Sequence, residues 1–339
     1  MDFATPDSLD LACHAALRRA PARAPRDAIA RLQTRLAAFV GLDAVALGLD
    51  QGCVLRRLVG PGDHLLIDGR AGPCLRLAAA ATGATLHFAA QHPMADTALG
   101  LADLRRTMPR ARIMVLGQSL FAADATQPDL AGLQAMACVQ AAVFCLDISH
   151  DLGAMGPTGG GRIEASGLLG KIDLVTARLG PVFGSSGAFA ATSRLPLLPA
   201  LTAPSALPRR RDAARALAAL HIVTGAEGAA RRARLMTNVL DLRMGLALLG
   251  LAVPGRAGPV VPLTLGRRAG GPVPGLRTGL LAGRLRAQGF GLDDCDGDPS
   301  GPLLIHLRAD HAAADIARLL SALAKAVSGS GSAYVVNGI

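Results

Sequence analysis

Tryptophan is absent, tyrosine occurs once, and aromatic residues make up only 3% of the 339 residues. Leu, Val and Ala must therefore fill the interior, and a base-stacking platform for single-stranded nucleic acid is excluded. Lysine is nearly missing too: Lys171 and Lys325 are the only two among 35 lysines and arginines, so the net charge of +10 is carried by arginine. The arginine-rich stretches RRAPARAPR (18–26) and PRRRDAARA (208–216) have no interleaved aromatics. They read as solvated basic faces open to acidic partners, not as nucleic-acid contacts. No uncharged apolar run reaches the ~18 residues a bilayer span needs. The N-terminus also lacks the charged start and apolar core of a signal peptide. The expectation is a cytoplasmic protein with no membrane span. The six cysteines, at 13, 53, 74, 138, 145 and 295, form neither a CxxC pair nor a metal-ligand spacing, so they read as reduced thiols with no metal.

What remains is apolar and rhythmic. In DAIARLQTRLAAFV (27–40), Ile29, Leu32, Leu36 and Phe39 share one helical face. Short apolar runs then alternate with helical segments. HLLID (64–68), TLHFA (85–89), IMVLG (113–117), AVFCLD (142–147), IDLVT (172–176) and GAFAA (187–191) read as buried strands, with helices at 74–82, 101–107 and 129–139. Such alternation predicts an α/β fold with a mostly parallel sheet covered on both faces. Around 195–210 the texture turns proline-rich, and a long helical stretch (212–249) follows. Short segments at 260–265 and 303–308 lead to an amphipathic helix at 312–327. The expected division is an N-terminal segment (1–30), a large α/β domain (31–195), a linker with long helices (196–250), a small C-terminal domain (251–328) and a loose tail (329–339).

The chemistry concentrates in DISHDLGAMGPTGGG (147–161). Asp147 closes a predicted buried strand, at the end where open α/β sheets place their ligand crevice. From there a carboxylate reaches a cationic ring nitrogen, with His150 three residues on. Equally, Asp147 caps the next turn and His150 packs locally. The GPTGGG run (156–161) lacks the Lys-Ser/Thr of a phosphate-binding loop and opens no obvious helix, so it reads as a flexible turn.

The stretch LDISHDLGAMGPTGGGRIE resembles the D-E-A-H-S-x-G-x-x-G-x-x-G-R-G signature of the α-oxoamine synthases. Further pieces follow in that family's order: LQTRLAAFVGLDAVAL (32–47), VGPGDHLLIDG (59–69), QSLFAADATQPDLAGL (118–133), IDLVTARLGPVFGSSGAFAATS (172–193) and LLIHLRADHAAADIARLLSAL (303–323). The resemblance implies a pyridoxal-phosphate-dependent, aminotransferase-like large domain with a small α+β C-terminal domain. It also implies acyl transfer to an amino acid, and a dimer with sites at its interface.

Carried over position by position, Asp147 matches the acid that pairs with the cofactor's ring nitrogen, and His150 matches the histidine near its phenolic oxygen. The Schiff-base lysine falls on Pro181, which has no amine. The ring-stacking histidine falls on Gly72 and the carboxylate-clamping arginine on Leu304. The phosphate contact has no counterpart in LGLDQGC (47–53). Lys171 precedes its strand at the end away from the crevice, about 15 Å off, and Lys325 lies on the last helix.

The resemblance thus points to a degenerate member with a vestigial cofactor pocket at Asp147 and His150 and no covalently bound cofactor. The expected role is a non-catalytic partner in a homodimer, or in a heterodimer with a lysine-bearing homologue, serving an acyl-CoA or acyl carrier protein substrate. Two alternatives stay open. One is a cofactor-independent acyl transferase or hydrolase using Asp147, Ser149 and His150, with Asp151 at hand. The other is a conventional pyridoxal-phosphate acyltransferase.

Overall fold

The computed structural model describes residues 1–19, 24–89, 93–202, 207–251, 253–263, 278–294 and 301–328. In chain order the strands are β1 (Asp2–Phe3), β2 (Ala44–Leu47), β3 (His64–Asp68), β4 (Thr85–Ala89), β5 (Ile113–Gln118), β6 (Val143–Asp147), β7 (Leu174–Arg178), β8 (Ala188–Thr192), β9 (Val260–Leu263), β10 (Gly291–Asp294) and β11 (Leu303–His306). The helices are α1 (Ala15–Arg18), α2 (Ala28–Val40), α3 (Gln51–Leu58), α4 (Pro73–Ala80), α5 (Pro93–Thr107), α6 (Leu130–Val139), α7 (Gly161–Ala165), α8 (Gly180–Phe183), α9 (Leu198–Thr202), α10 (Arg210–Thr224), α11 (Ala226–Leu248), α12 (Thr278–Ala287) and α13 (Ala313–Ser328).

Two compact units result. The larger takes Asp10–Phe121 and Gln127–Ala230; the smaller takes Met1–Leu9, Ala122–Thr126 and the chain from Arg231 onward. The larger holds a seven-stranded sheet in the order β2-β8-β7-β6-β5-β3-β4. Strands β3 to β7 are parallel, while β8 runs antiparallel to both β7 and β2. The central strands read as unbroken apolar runs because both faces are covered. Leu65, Ile67, Met114 and Leu116 face one side, packed with Val54 and Leu55 of α3 and Leu75 and Ala79 of α4. Asp50 starts α3 by accepting from the Cys53 amide at 2.7 Å, and Asp129 starts α6 the same way through Gly132 at 3.0 Å. The smaller unit holds a four-stranded sheet, β1-β10-β11-β9. No helix among the described residues is long and apolar enough to cross a membrane. Cys13, Cys53, Cys74, Cys138 and Cys145 are free thiols, and Cys295 lies outside the described residues.

Several expectations shift. The buried face of α2 is Ala28, Leu32, Leu36 and Val40, with Ile29 and Phe39 only half-buried, because a strict i, i+4 stripe meets the unit's interior. The strand expected at 172–176 begins at Leu174 and runs to Arg178. Asp173 instead takes the Phe144 amide on its carboxylate at 2.8 Å and the Thr192 hydroxyl on its carbonyl at 2.5 Å. The large unit continues past 195 to Ala230, since α10 packs on α2. Residues 1–9 belong with the C-terminal strands and are no separate segment. The tail at 329–339 and residues 264–265 lie outside the described residues.

Candidate functional site

At the carboxyl edge of the large sheet, β5, β6 and β7 end side by side: Gln118 stands opposite Asp147, and Asp147 opposite Thr176. Asp147, last residue of β6, takes the Ser149 amide at 3.0 Å on one oxygen and the Thr176 hydroxyl at 3.1 Å on the other. Burial pushes its pKa up. The Ser149 bonds, the positive charge of Arg178 and the Thr176 bond pull it back. Ser149 is itself buried, and its hydroxyl oxygen accepts the Arg178 amide at 3.0 Å. That hydroxyl is engaged in the framework rather than presented to a ligand. His150 is half-buried and engaged by neighbours. Two residues before Asp147, the fully buried Cys145 thiol is pushed up to about 12 by burial, so it offers no thiolate nucleophile.

The glycine run that follows is neither a phosphate cradle nor a loose turn. Gly161 opens the short helix α7, and the loop closes around a carboxylate of its own chain. Glu164 accepts from the Thr158 amide at 3.0 Å, the Thr158 hydroxyl at 2.7 Å and the Gly160 amide at 2.8 Å. Successive amides aimed at one point form an anion-binding concavity. Here an internal acid fills it. Gly156, at φ +82, must be glycine, because a Cβ there would stand 2.5 Å from the Glu164 carboxylate and 2.7 Å from the Gly161 carbonyl.

Beneath the loop lies a cluster that sequence reasoning missed apart from its acid. Asp151 is fully buried. It accepts the Ser119 hydroxyl on one oxygen and the Arg162 amide, at 2.5 Å, on the other. The Arg162 guanidinium donates to the carbonyls of Ser119 at 2.6 Å and Pro128 at 2.8 Å. Burial pushes Asp151 up to about 6, against the pull of Ser119 and Arg162. Arg162, directly after the glycines, and Ser119, one residue past β5, were the available signals.

Of the other expected positions, Pro181 is the second residue of α8, three residues past the end of β7 and so on the same sheet edge as Asp147. Gly72 is the N-cap of α4. Leu304 lies on β11 of the smaller unit, and Lys325 on α13 there. Lys171 is exposed, three residues before β7 begins. Among the described residues no group of three or more His, Cys, Asp or Glu is placed to hold a metal ion.

The chain is 30% identical over 321 residues to an 8-amino-7-oxononanoate synthase of Geobacter metallireducens, covering 89% of this chain and 78% of that protein. It belongs to the α-oxoamine synthase family. A second 8-amino-7-oxononanoate synthase, from Paracidovorax citrulli, is 31% identical over 365 residues, covering 95% of this chain and 84% of the relative. No protein-family model matches the chain. Among solved structures, Sphingomonas wittichii serine palmitoyltransferase superposes with a TM-score of 0.80 at 17% identity, over 97% of this chain and 88% of that one. An 8-amino-7-oxononanoate synthase from Francisella tularensis gives 0.76 at 16%, over 97% and 98%. The fold is thus that of the family's pyridoxal-phosphate-dependent transferases, with the mostly parallel seven-stranded sheet at its centre.

Proposed function

We propose that this α-oxoamine synthase homologue does not carry out the family's amine-capture chemistry and acts by association with a catalytic chain. The observation that carries the reading is Pro181. The turn after β7, next to Asp147 on the carboxyl edge, has a ring-closed residue where covalent capture of an aldehyde cofactor needs a desolvated amine. No lysine in the sequence replaces it. Lys171 is exposed and lies three residues before β7 begins, at the end of that strand away from Thr176, the register partner of Asp147. Lys325 is on α13 of the smaller unit. The residues present therefore fit pyridoxal phosphate only in part. Under this reading Asp147 would pair with the ring nitrogen, and neither Lys171 nor Lys325 would hold the aldehyde.

The partner under this reading is a second copy or a lysine-bearing homologue, and the system served is an acyl-thioester condensation on CoA or an acyl carrier protein. The basic surface of the chain suits such acidic partners. The acyl-transfer alternative gains nothing from Ser149, whose buried hydroxyl holds the Arg178 amide. The names of the relatives favour the conventional enzyme, and one experiment separates it from the reading proposed. The purified protein is incubated with pyridoxal phosphate, reduced with borohydride, digested and analysed by mass spectrometry. The expected outcome is colourless protein with no stoichiometric phosphopyridoxyl-lysine. A stoichiometric adduct at Lys171 or Lys325 sinks the proposal. Co-purification with untagged neighbouring proteins then identifies the partner.

A further inference from the structure

The first nine residues are held on the smaller unit by a short ladder, a few backbone bonds and one histidine. Strand β1 is two residues long and runs parallel to β10, with Asp2 beside Gly291 and Phe3 beside Leu292. Its ends are tied down: the Met1 ammonium donates to the Gly289 carbonyl at 2.7 Å, and the Gly291 amide to the Met1 carbonyl at 2.7 Å. Further on, the Ala309 amide donates to the Ser8 carbonyl at 2.9 Å and Arg231 to that of Leu9 at 2.9 Å. Two residues of ladder are far fewer than the five or six of an ordinary strand, so side chains must add to the hold. Phe3 is fully buried, its ring centroid 4.3 Å from that of His311 and 6.3 Å from that of Phe290.

His311 bridges the two segments. Its Nδ1 lies 3.2 Å from the Arg308 amide and its Nε2 lies 3.0 Å from the Asp2 carbonyl. A carbonyl can only accept, so Nε2 carries the hydrogen. A backbone amide can only donate, so Nδ1 must be bare. Both neighbours are backbone groups and neither can change role. An imidazolium carries a hydrogen on each nitrogen: Nε2–H still donates to Asp2, but Nδ1–H would face the Arg308 N–H, so the ring has to leave this seat and with it the contacts to Asp2 and Phe3. The charges around the ring are mixed. Arg308 opposes a second cation, Asp310 and Asp315 favour it, and the Asp2 carboxylate faces Arg308 at 3.5 Å.

We propose that His311 is a proton-sensitive latch: neutral, it holds residues 1–9 on the smaller unit, and protonated, it releases them. Burial, the largest influence, lowers the pKa of His311 below its ordinary value, outweighing the Asp2 backbone bond. A depressed histidine contributes stability that is complete above the unfolded value of ~6.5 and is lost as pH falls through the folded value. Release therefore belongs to the acid side of neutrality.

Hydrogen–deuterium exchange, corrected for the intrinsic pH dependence of exchange, tests this at pH 7.5 and 5.0 on the full chain and on His311→Gln. Glutamine offers one acceptor and one donor but does not titrate. In the wild type, protection of amides in residues 3–9 should fall at pH 5.0, by no more than the about thirtyfold that a free value of ~6.5 allows, while β3 and β5 keep theirs. In His311→Gln it should be the same at both pH values. Unchanged wild-type protection overturns the proposal, as does an equal fall in the variant or a simultaneous loss in β3 and β5. Should the variant not fold, titration of wild-type His311 by NMR decides. A proton on Nε2 with a pKa below 6.5 supports the latch, and a proton on Nδ1 or a pKa at or above 6.5 overturns it.

Discussion

Asp147 and Asp151 stand four residues apart on one exit from the sheet, and their surroundings differ in kind. Asp151 is enclosed by groups whose partners are all internal: Ser119 and Arg162 bind it, Arg162 ties it to two further carbonyls, and Glu164 fills the loop above. Asp147 is only partly covered, sits on the open edge of the sheet, and shares that edge with Pro181. The framework around Asp151 is complete without any ligand. The edge around Asp147 carries that acid at the end of β6 and Pro181 just past β7. The scaffold and the edge should respond very differently to mutation.

The largest effect should come from Asp151→Ala. It leaves the Ser119 hydroxyl and the Arg162 amide unpaired in the interior and removes the countercharge near a part-buried guanidinium. Two buried donors left unpaired cost about 1–3 kcal/mol each, read as a lower midpoint in urea unfolding. A loss under about 1 kcal/mol would show that the cluster is not what holds the loop.

The same acid gives a pH dependence of known sign. Its folded pKa of about 6 lies above the unfolded carboxylate value of ~3.9, so between these the native state keeps a proton that the unfolded chain has released. The Asp151 contribution to stability should fall as pH rises from about 4 to 6, by roughly 2–3 kcal/mol at 1.36 kcal/mol per unit. Comparing the pH–stability curves of wild type and Asp151→Asn isolates it. A contribution that rises with pH over this window would mean the carboxylate form is the one the site prefers.

A smaller loss is expected for Glu164→Ala, about 1–2 kcal/mol, because its bonds to Thr158 lie near solvent and water can replace part of them. Its sharper signature is local: faster amide exchange at Thr158 and Gly160 with β6 and β7 unchanged. The vacated concavity should also begin to bind inorganic phosphate, which the intact loop should not.

How much of this the sequence disclosed follows from range. The parallel strands were legible because HLLI and IMVL are buried on both faces and need no alternation to be recognised. The place of Asp147 at the carboxyl end of its strand was legible because the apolar run VFCL stops at it. The Ser119–Asp151–Arg162 cluster was not, since its members are 32 and 11 residues apart and share no period. The division into units was not legible either. The smaller unit recruits residues 1–9 and 122–126 from the far side of the chain, and no change in composition marks them. The glycine run read as a flexible turn because nothing local marks Glu164, four residues past Gly160, as the carboxylate that closes it.

The last effect, that of Asp147→Ala, partly cancels itself in stability and decides most about function. The substitution frees the amide of Ser149 and the hydroxyl of Thr176, both buried residues, at about 1–3 kcal/mol for each group left unpaired. Removing a carboxylate whose ionised form burial already disfavours offsets part of that loss. If the chain serves a catalytic partner, the activity of the purified complex should be unchanged in Asp147→Ala, while charge reversals along the shared interface abolish it. The acyl-transfer reading predicts the opposite: an activity of the isolated chain that disappears in Asp147→Ala and again in His150→Ala. A loss of activity without loss of assembly would therefore move the chemistry back to this edge and end the non-catalytic reading.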